Sequence, residues 1–451
     1  MMSLLAIDWA SVGVKAGQFV LSFSILVILH ELGHYFPAKW FKCRVEKFYL
    51  FFDAWFSLFK KKIGETEWGI GWIPFGGYVK IAGMIDESMD KEQLKQPAQP
   101  WEFRSKPAWQ RLIIMVGGVV VNVILAIVIF ICIMWIWGEE YLPGKNAKYG
   151  IEVQAMGKQI GLQDGDVVIK AGDKDLRNAL NTGIEIIVND AKNITVLRNG
   201  AEIVLPVPDG FIKELSRTKG RNFAEVRFPS IVSEVAKKSN AEKAGLLAGD
   251  QILSVDSIAT PYWYMVASHI KTHVNKDIKL TVSRKADTLK LTARVNEEGK
   301  IGIAPEGNLA KLGFKIETKE YSFMEAIPAG IKNCFQTLDM YITGLKQLFA
   351  GKVSAKDSLG SVISIGNTFP GEWIWREFWR LTAIFSIILA FMNILPIPAL
   401  DGGHALFCIV EMVTGRKPSD KFMEYAQMAG MILMLGLMAY ALGLDFWRIF
   451  K

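Results

Sequence analysis

Four long, predominantly apolar runs punctuate the chain. The first covers about Gly17 to Phe36, and the second, "RLIIMVGGVVVNVILAIVIFICIMWIWG", starts at Arg111 and ends on Trp135 and Trp137. The third, "LTAIFSIILAFMNIL", runs from Leu381 to Leu395, and the fourth, "YAQMAGMILMLGLMAYALGL", opens at Tyr425. Long apolar runs with aromatic edges predict helices that cross a bilayer. Between the second and third, from about residue 145 to 310, the pattern changes to alternation with frequent Gly-Asp turns and no long apolar run, which predicts β structure. From Tyr321, "YSFMEAIPAGIKNCFQTLDMYITGLKQLFAG" mixes apolar and charged positions at helical spacing. That predicts an amphipathic helix lying on the outer membrane surface. The expected fold class is a polytopic α-helical membrane protein with four transmembrane helices and a β-rich insert.

The insert repeats itself. "GLQDGDVVIKAGDKDL" at Gly161 and "GLLAGDQILSVDSIAT" at Gly245 begin 84 residues apart, about the length of one small β domain. The second copy, within "FPSIVSEVAKKSNAEKAGLLAGDQILSVDS", resembles the bacterial PDZ pattern of Ala-Gly-Leu followed by Gly-Asp-x-Ile. PDZ domains take extended peptides by strand addition. The first copy has "KQIGL" in place of that lead-in and reads as a degenerate relative. The expected domains are 1–137 with the first two helices, 145–222 and 223–310 as the two PDZ-like domains, 320–375 as the membrane-surface segment, and 376–451 with the last two helices.

Composition and charge sharpen the membrane reading. A soluble chain of 451 residues would suggest about three domains, but 51% of residues are apolar. The net charge of +7 fits anionic lipid and topology better than nucleic acid, which is not expected as a partner. Thirteen Lys and Arg lie from Lys39 to Arg111, whereas only Lys15 precedes the first run. By the positive-inside rule, residues 39 to 110 face the cytoplasm, and both termini and the insert lie outside. The first run lacks a basic leader and carries charges, so it does not read as a cleavable signal peptide. Cys43, Cys132, Cys334 and Cys408 are scattered singly and support neither a disulfide framework nor a thiolate metal site.

The charges in the first run are the candidate chemistry. His30, Glu31 and His34 stand in "LHELGH". An ionisable group at mid-membrane costs about 2.5–3.5 kcal/mol or more, so function is the default expectation. Residues four apart share one helix face, and His-Glu-x-x-His is the spacing that binds zinc through two imidazoles with the glutamate as general base. Catalytic zinc takes three protein ligands, so a third must come from elsewhere. The best candidate is Asp401 in "FMNILPIPALDGGHAL", where Pro396 and Pro398 break the third run. That segment is expected to run extended, with Gly402 and Gly403 forming a tight turn that presents Asp401. A surface aspartate on an exit loop is the competing reading, and His404 is a rival ligand. His269 and His273 in the insert, with no carboxylate cluster near them in sequence, read as ordinary surface or half-buried histidines.

"HELGH" together with "NILPIPALDGG" resembles the site-2 protease family of intramembrane zinc metalloproteases, and the tandem insert resembles its RseP-type branch. The resemblance spans nearly the whole chain. It implies Zn2+ as cofactor, His30, His34 and Asp401 as its ligands, Glu31 as general base, and Asn393 as a holder of substrate backbone. "ETEWGIGWIPFGGYVKIAGM" is similar to the family's re-entrant β-hairpin, which implies that Phe75, Gly76 and Gly77 contact substrate, and an edge strand within 65 to 80 could capture it. "DSLGSVISI" from Asp357 resembles a further family segment. The chain departs from the family in lacking a proline in Gly118-Val-Val-Val-Asn122 and in having "FFDAWFS" where the hairpin usually opens with Gly-Phe-Gly. The implied activity is regulated intramembrane proteolysis of single-span membrane proteins, such as an anti-sigma factor after a first external cut, or remnant signal peptides. The implied setting is a bacterial inner membrane, with the PDZ domains extracytoplasmic and the active site toward the cytoplasmic side. The alternative is a PDZ-bearing membrane scaffold or chaperone with a vestigial metal site.

Overall fold

The computed structural model describes residues 9–84, 97–218, 220, 222–285, 287–350 and 360–450. The chain divides into one unit made of Met1–Gly138 with Glu320–Lys451 and another made of Glu139–Lys319. Of the segment similar to the family from Asp357, residues 357–359 lie outside the described residues.

The first unit contains the helices α1 (Trp9–Trp40), α2 (Ala108–Trp137), α3 (Phe323–Phe349), α4 (Trp375–Ile394), α5 (Asp401–Thr414) and α6 (Asp420–Phe450). Within it, α1, α2, α4 and the stretch Lys421–Trp447 of α6 are long and apolar enough to cross a membrane, which makes this a polytopic membrane protein. Pro37 lies inside α1 and does not stop it. The helix continues to Trp40, and the Phe41 N–H closes its last turn on Pro37 O at 2.9 Å.

α2 carries no charge between Arg111 and its end and packs against α1, α3, α4 and α5. Its partners report its direction. Ala383 and Ile387 of α4 join Ala126, Ile129 and Ile133 in one core cluster, and Ser386 Oγ donates to Asn122 O at 2.7 Å. Further along, Ala405 of α5 packs with Ile114 and Met115, and Glu411 pairs with Arg111 at 2.5 Å. Thus α4 and α5 together run antiparallel to α2 as a single crossing interrupted in the middle, at 395–400.

α3 departs from expectation. Trp135 packs edge-on with Phe323, a Cβ on Gly330 would stand 2.5 Å from Ile131 N, and Tyr341 packs edge-on with Phe391. The helix therefore runs down the side of α2 instead of resting across the end of the bundle. Its small residues Ala326 and Gly330 allow this approach. α6 is tied by Asp445, whose carboxylate accepts from the backbone and hydroxyls of Ser361 and Ser364 at 2.5 to 3.1 Å.

A sheet of β1 (Val45–Phe52), β2 (Phe59–Ile63), β3 (Thr66–Ile70) and β4 (Ile73–Ile81) follows α1 in the order β2-β3-β1-β4. The expected hairpin over 65 to 84 is corrected here: β3 and β4 are not neighbours, because β1 lies between them, parallel to β3 and antiparallel to β4. The short link at Gly71 and Trp72 cannot announce that a third strand will intervene. β4 is an edge strand.

The second unit holds two lobes of the same topology. The first has a four-stranded sheet, Ala201–Pro206, Asn193–Arg198, Val167–Ala171 and Lys174–Asp175, with Ile151–Val153 paired to Ala224–Val226. The second has Asp287–Arg294, Asp277–Arg284, Gln251–Val255 and Ile258–Ala259, with Val232–Val235 paired to Ile303–Pro305. The sequence repeat has a physical core. Arg198 grips Asp166 through two bonds of 2.7 and 2.8 Å and donates to Gly161 O, while Arg284 grips Asp250 through two of 2.7 Å and donates to Gly245 O. Each Gly-Asp turn is thus locked by an arginine from a strand some thirty residues on. The unit extends beyond the expected 145 to 310, since Leu142, Leu312 and Phe314 join the first lobe's core and Glu139–Tyr141 pairs with Glu317–Lys319.

Candidate metal centre

His30 and His34 are both buried on α1. Small residues make room for them. A Cβ on Gly33 would stand 2.5 Å from Gly117 O, and one on Gly117 would stand 2.0 Å from Gly33 O, so α1 and α2 touch backbone to backbone. A Cβ on Gly118 would stand 2.4 Å from His34 Nε2 and 2.6 Å from His30 Cε1. Only glycine leaves the imidazoles that space.

Asp401, the first residue of α5, completes the set. Its Oδ2 lies 3.2 Å from His30 Nε2 and 3.3 Å from His34 Nε2, and the two nitrogens are 3.3 Å apart. A tetrahedral zinc with bonds of 2.0–2.1 Å has ligand–ligand edges of about 3.3 Å, so the triangle is one face of such a site. The Oδ2 atom is buried and accepts no hydrogen bond among the described residues. A buried orphan oxygen aimed at two imidazole nitrogens fits a cation between them.

The other ring atoms fix the tautomers. His34 Nδ1 donates to Ile114 O at 2.8 Å, which leaves the Nε2 lone pair directed at the triangle. The Asn122 amide lies 3.2 Å from His30 Nδ1, and its buried Oδ1 has no hydrogen-bond partner among the described residues. Half a turn of that amide lets Oδ1 accept the Nδ1 proton and frees His30 Nε2 in the same way. The sequence signal for Asn122 was its place at the end of the Gly118-Val-Val-Val-Asn122 stretch similar to the family's, four residues after Gly118 on a shared face.

Asp401 is held from three sides. The break between α4 and α5 is compact, not extended: Ile397 N bonds Leu395 O, Leu400 N bonds Ile397 O, and Gly403 N bonds Leu400 O. Gly402 and Gly403 lie in the first turn of α5 and make no turn of their own. A Cβ on either would strike Leu395 O at 2.3 Å or Ile397 O at 2.5 Å, so their role is close packing. Ala399 has φ 87° and donates to Gln427 Oε1 of α6 at 3.0 Å, while Gly430 lets α6 press on Pro398 O.

A cavity of about 420 Å³ opens on this centre, lined among others by His30, Glu31, His34, Tyr78, Asp401 and His404. His404 thus lines the cavity, while the ligating atoms that converge are those of His30, His34 and Asp401. β4 forms one wall through Gly77, Tyr78, Val79, Lys80 and Ile81. Gly77 packs on Val27 and Glu31, Gly76 has φ 153° beneath the Phe52 ring, and Phe75 precedes them in the same strand. Asn393, near the end of α4, puts its amide nitrogen 3.2 Å from His30 Nε2. One other set among the described residues could hold a metal, and it lies in the insert: Asp256, His269 and His273. The absence of a carboxylate near those histidines was true of the sequence but not of the fold.

These features define a membrane metallopeptidase. The family model for peptidase family M50 matches residues 18–437, and the chain belongs to that family, the site-2 proteases, as a zinc metalloprotease. It is 28% identical over 456 residues to the regulator of sigma-E protease RseP of Escherichia coli K12, covering 96% of this chain and 98% of the relative. It is 27% identical over 472 residues to the same-named protein of Salmonella typhimurium, covering 99% and 100%. A Vibrio cholerae protein described as a candidate zinc metalloprotease is 29% identical over 458 residues, covering 96% and 98%.

Proposed function

We propose that this zinc metalloprotease cuts single-span membrane proteins within the bilayer, using His30, His34 and Asp401 as zinc ligands and Glu31 as general base. The observation that carries the reading is the triangle of 3.2 and 3.3 Å edges beside a glutamate-lined cavity. Zinc held by these three residues would supply a Lewis acid that polarises the scissile carbonyl and acidifies the attacking water. Glu31 then takes the proton of the attacking water and delivers it to the leaving amine. Asn393 holds the substrate's freed backbone groups next to His30.

A transmembrane substrate hides its amides in helical hydrogen bonds, so it must unwind before attack. The free edge of β4, including Phe75, Gly76 and Gly77, is suited to receive the unwound segment as an added strand and in this sense serves as the re-entrant element. The two insert lobes read as PDZ modules, the second the closer in sequence to the PDZ pattern. Charge asymmetry supports an inner-membrane topology with the insert extracytoplasmic and His30 to His34 in the cytoplasmic half of α1. The relatives named for sigma-E regulation in Escherichia coli and Salmonella support, as our reading, an anti-sigma factor trimmed first outside the membrane as substrate, with remnant signal peptides as a second class.

The test is reconstitution in liposomes with a single-span model substrate. Cleavage inside the apolar segment, lost with a zinc chelator and restored by zinc, is expected. Cleavage that survives full zinc removal, or cuts confined to the extramembrane part, would overturn the proposal.

A further inference from the structure

The insert carries a second pair of histidines four residues apart. His269 lies in the last turn of the helix Trp263–Thr272 and His273 caps it, with rings 4.9 Å apart and nearly parallel at 17°. Facing them is Asp256, in the turn between Gln251–Val255 and Ile258–Ala259, with left-handed backbone at φ 47°. Its Oδ2 stands 3.8 Å from Nε2 of His269 and 3.8 Å from Nε2 of His273. All three residues are half-buried.

For His273 and Asp256 the remaining polar atoms are already engaged in ways that orient them. His273 Nδ1 lies 2.8 Å from His269 O, so it donates there and leaves Nε2 as a lone-pair donor toward Asp256. Asp256 Oδ1 accepts the Lys279 N–H at 2.8 Å, which leaves Oδ2 for the histidines. At 3.8 Å the Asp256 carboxylate is too far from either imidazole nitrogen to hydrogen-bond it. That distance exceeds the edge of a tetrahedral zinc site by about half an ångström, within reach of a small side-chain rotation. Two imidazoles and a carboxylate suit zinc or a neighbouring transition metal and not calcium or magnesium.

The first lobe serves as an internal control. It has the same Gly-Asp turn and arginine grip, but the matching turn between Val167–Ala171 and Lys174–Asp175 holds Gly172 and Asp173, and its helix Thr182–Val188 has no histidine. The ligand set is therefore not a by-product of the shared topology.

We propose that Asp256, His269 and His273 form a second divalent transition-metal site, separate from the membrane centre, with a fourth position open to solvent. The metal ties the C-terminal turn of the helix to the edge of the sheet. Occupancy therefore follows free zinc outside the membrane and stabilises the second lobe.

The experiment uses the full-length protein in detergent micelles, equilibrated with buffered zinc and analysed for metal per chain. Wild type is expected to hold two zinc ions. His269→Gln/His273→Gln and, more conservatively, Asp256→Asn are expected to hold one, with unchanged cleavage of the model substrate. His34→Ala is expected to hold one, and cobalt bound to it is expected to give the visible absorption of a tetrahedral site. A His34→Ala protein without zinc, or a double-histidine variant with as much zinc as wild type, overturns this proposal and leaves the membrane centre untouched. Two zinc ions on His34→Ala would instead overturn the assignment of His34 and leave this one standing.

Discussion

Two helices of this chain each bring histidines four residues apart up to an aspartate from another element, the start of α5 in one case and a sheet turn in the other, yet their surroundings differ. In α1 the residue after the first histidine is Glu31, which faces a cavity of about 420 Å³. In the insert it is Ile270, buried in the core of the second lobe. The membrane triad is closed to 3.2 and 3.3 Å and pressed by Gly118, whereas the insert triad stands open at 3.8 Å and half-buried. Ligand spacing alone thus describes a place for a cation. Hydrolysis also needs a base beside the metal, a cavity for the scissile bond and a wall that can hold an extended chain.

That contrast can be broken by substitution. Asp401→Asn removes the charge that draws the two imidazoles together. It is expected to abolish cleavage and lower bound zinc by one ion, while the insert keeps its own. Gly118→Val places side-chain carbons where His34 Nε2 and His30 Cε1 now lie. A displacement near 1 Å costs about 10²-fold in rate, so cleavage should fall at least that far although no ligand is changed. Asn122→Leu removes the acceptor that sets the His30 tautomer, and a loss of about 10–100-fold in zinc affinity or activity is expected. Competition with a metal chelator would measure the affinity change in both variants.

The smallest effect tests the lobes. Burial opposes charge on Asp250, but the Arg284 guanidinium and the Leu247 N–H outweigh it and hold the carboxyl below the usual range. A depressed folded-state pKa gives stability that is present above the unfolded value, about 3.9, and is lost as pH falls through the folded value. Thermal unfolding of the insert should therefore shift downward on acidification below about pH 4. Asp250→Asn should destabilise the second lobe by about 2–3 kcal/mol, less than a fully buried pair because Arg284 retains access to water, with no loss of zinc from the membrane centre.

Much of this was legible in the residues because it was local. The apolar runs set the four crossings, His-Glu-x-x-His lies within one turn and a half of helix, and the Gly-Asp repeat announced the duplicated lobes. The unseen parts depend on partners far along the chain. β1 enters between β3 and β4 by long-range pairing, and nothing in the 65–84 stretch encodes an intervening strand. α3 has an amphipathic pattern that fits a membrane surface equally well, and only Ala326 and Gly330 hint at a helix neighbour. The glycines after Asp401 were read as turn formers, but their missing side chains serve contact with Leu395 and Ile397. Asp256 meets His269 and His273 only because the sheet turn and the helix end fold to the same edge.

The central claim is that Glu31 performs the proton transfer at a metal centre held by other residues. Glu31→Gln should be purified with wild type, with zinc per chain and cleavage of a single-span substrate measured on the same preparations. Zinc content equal to wild type, with cleavage reduced by about 10²–10⁴-fold or more, is the predicted result. Cleavage at the wild-type rate by the glutamine variant would contradict the account.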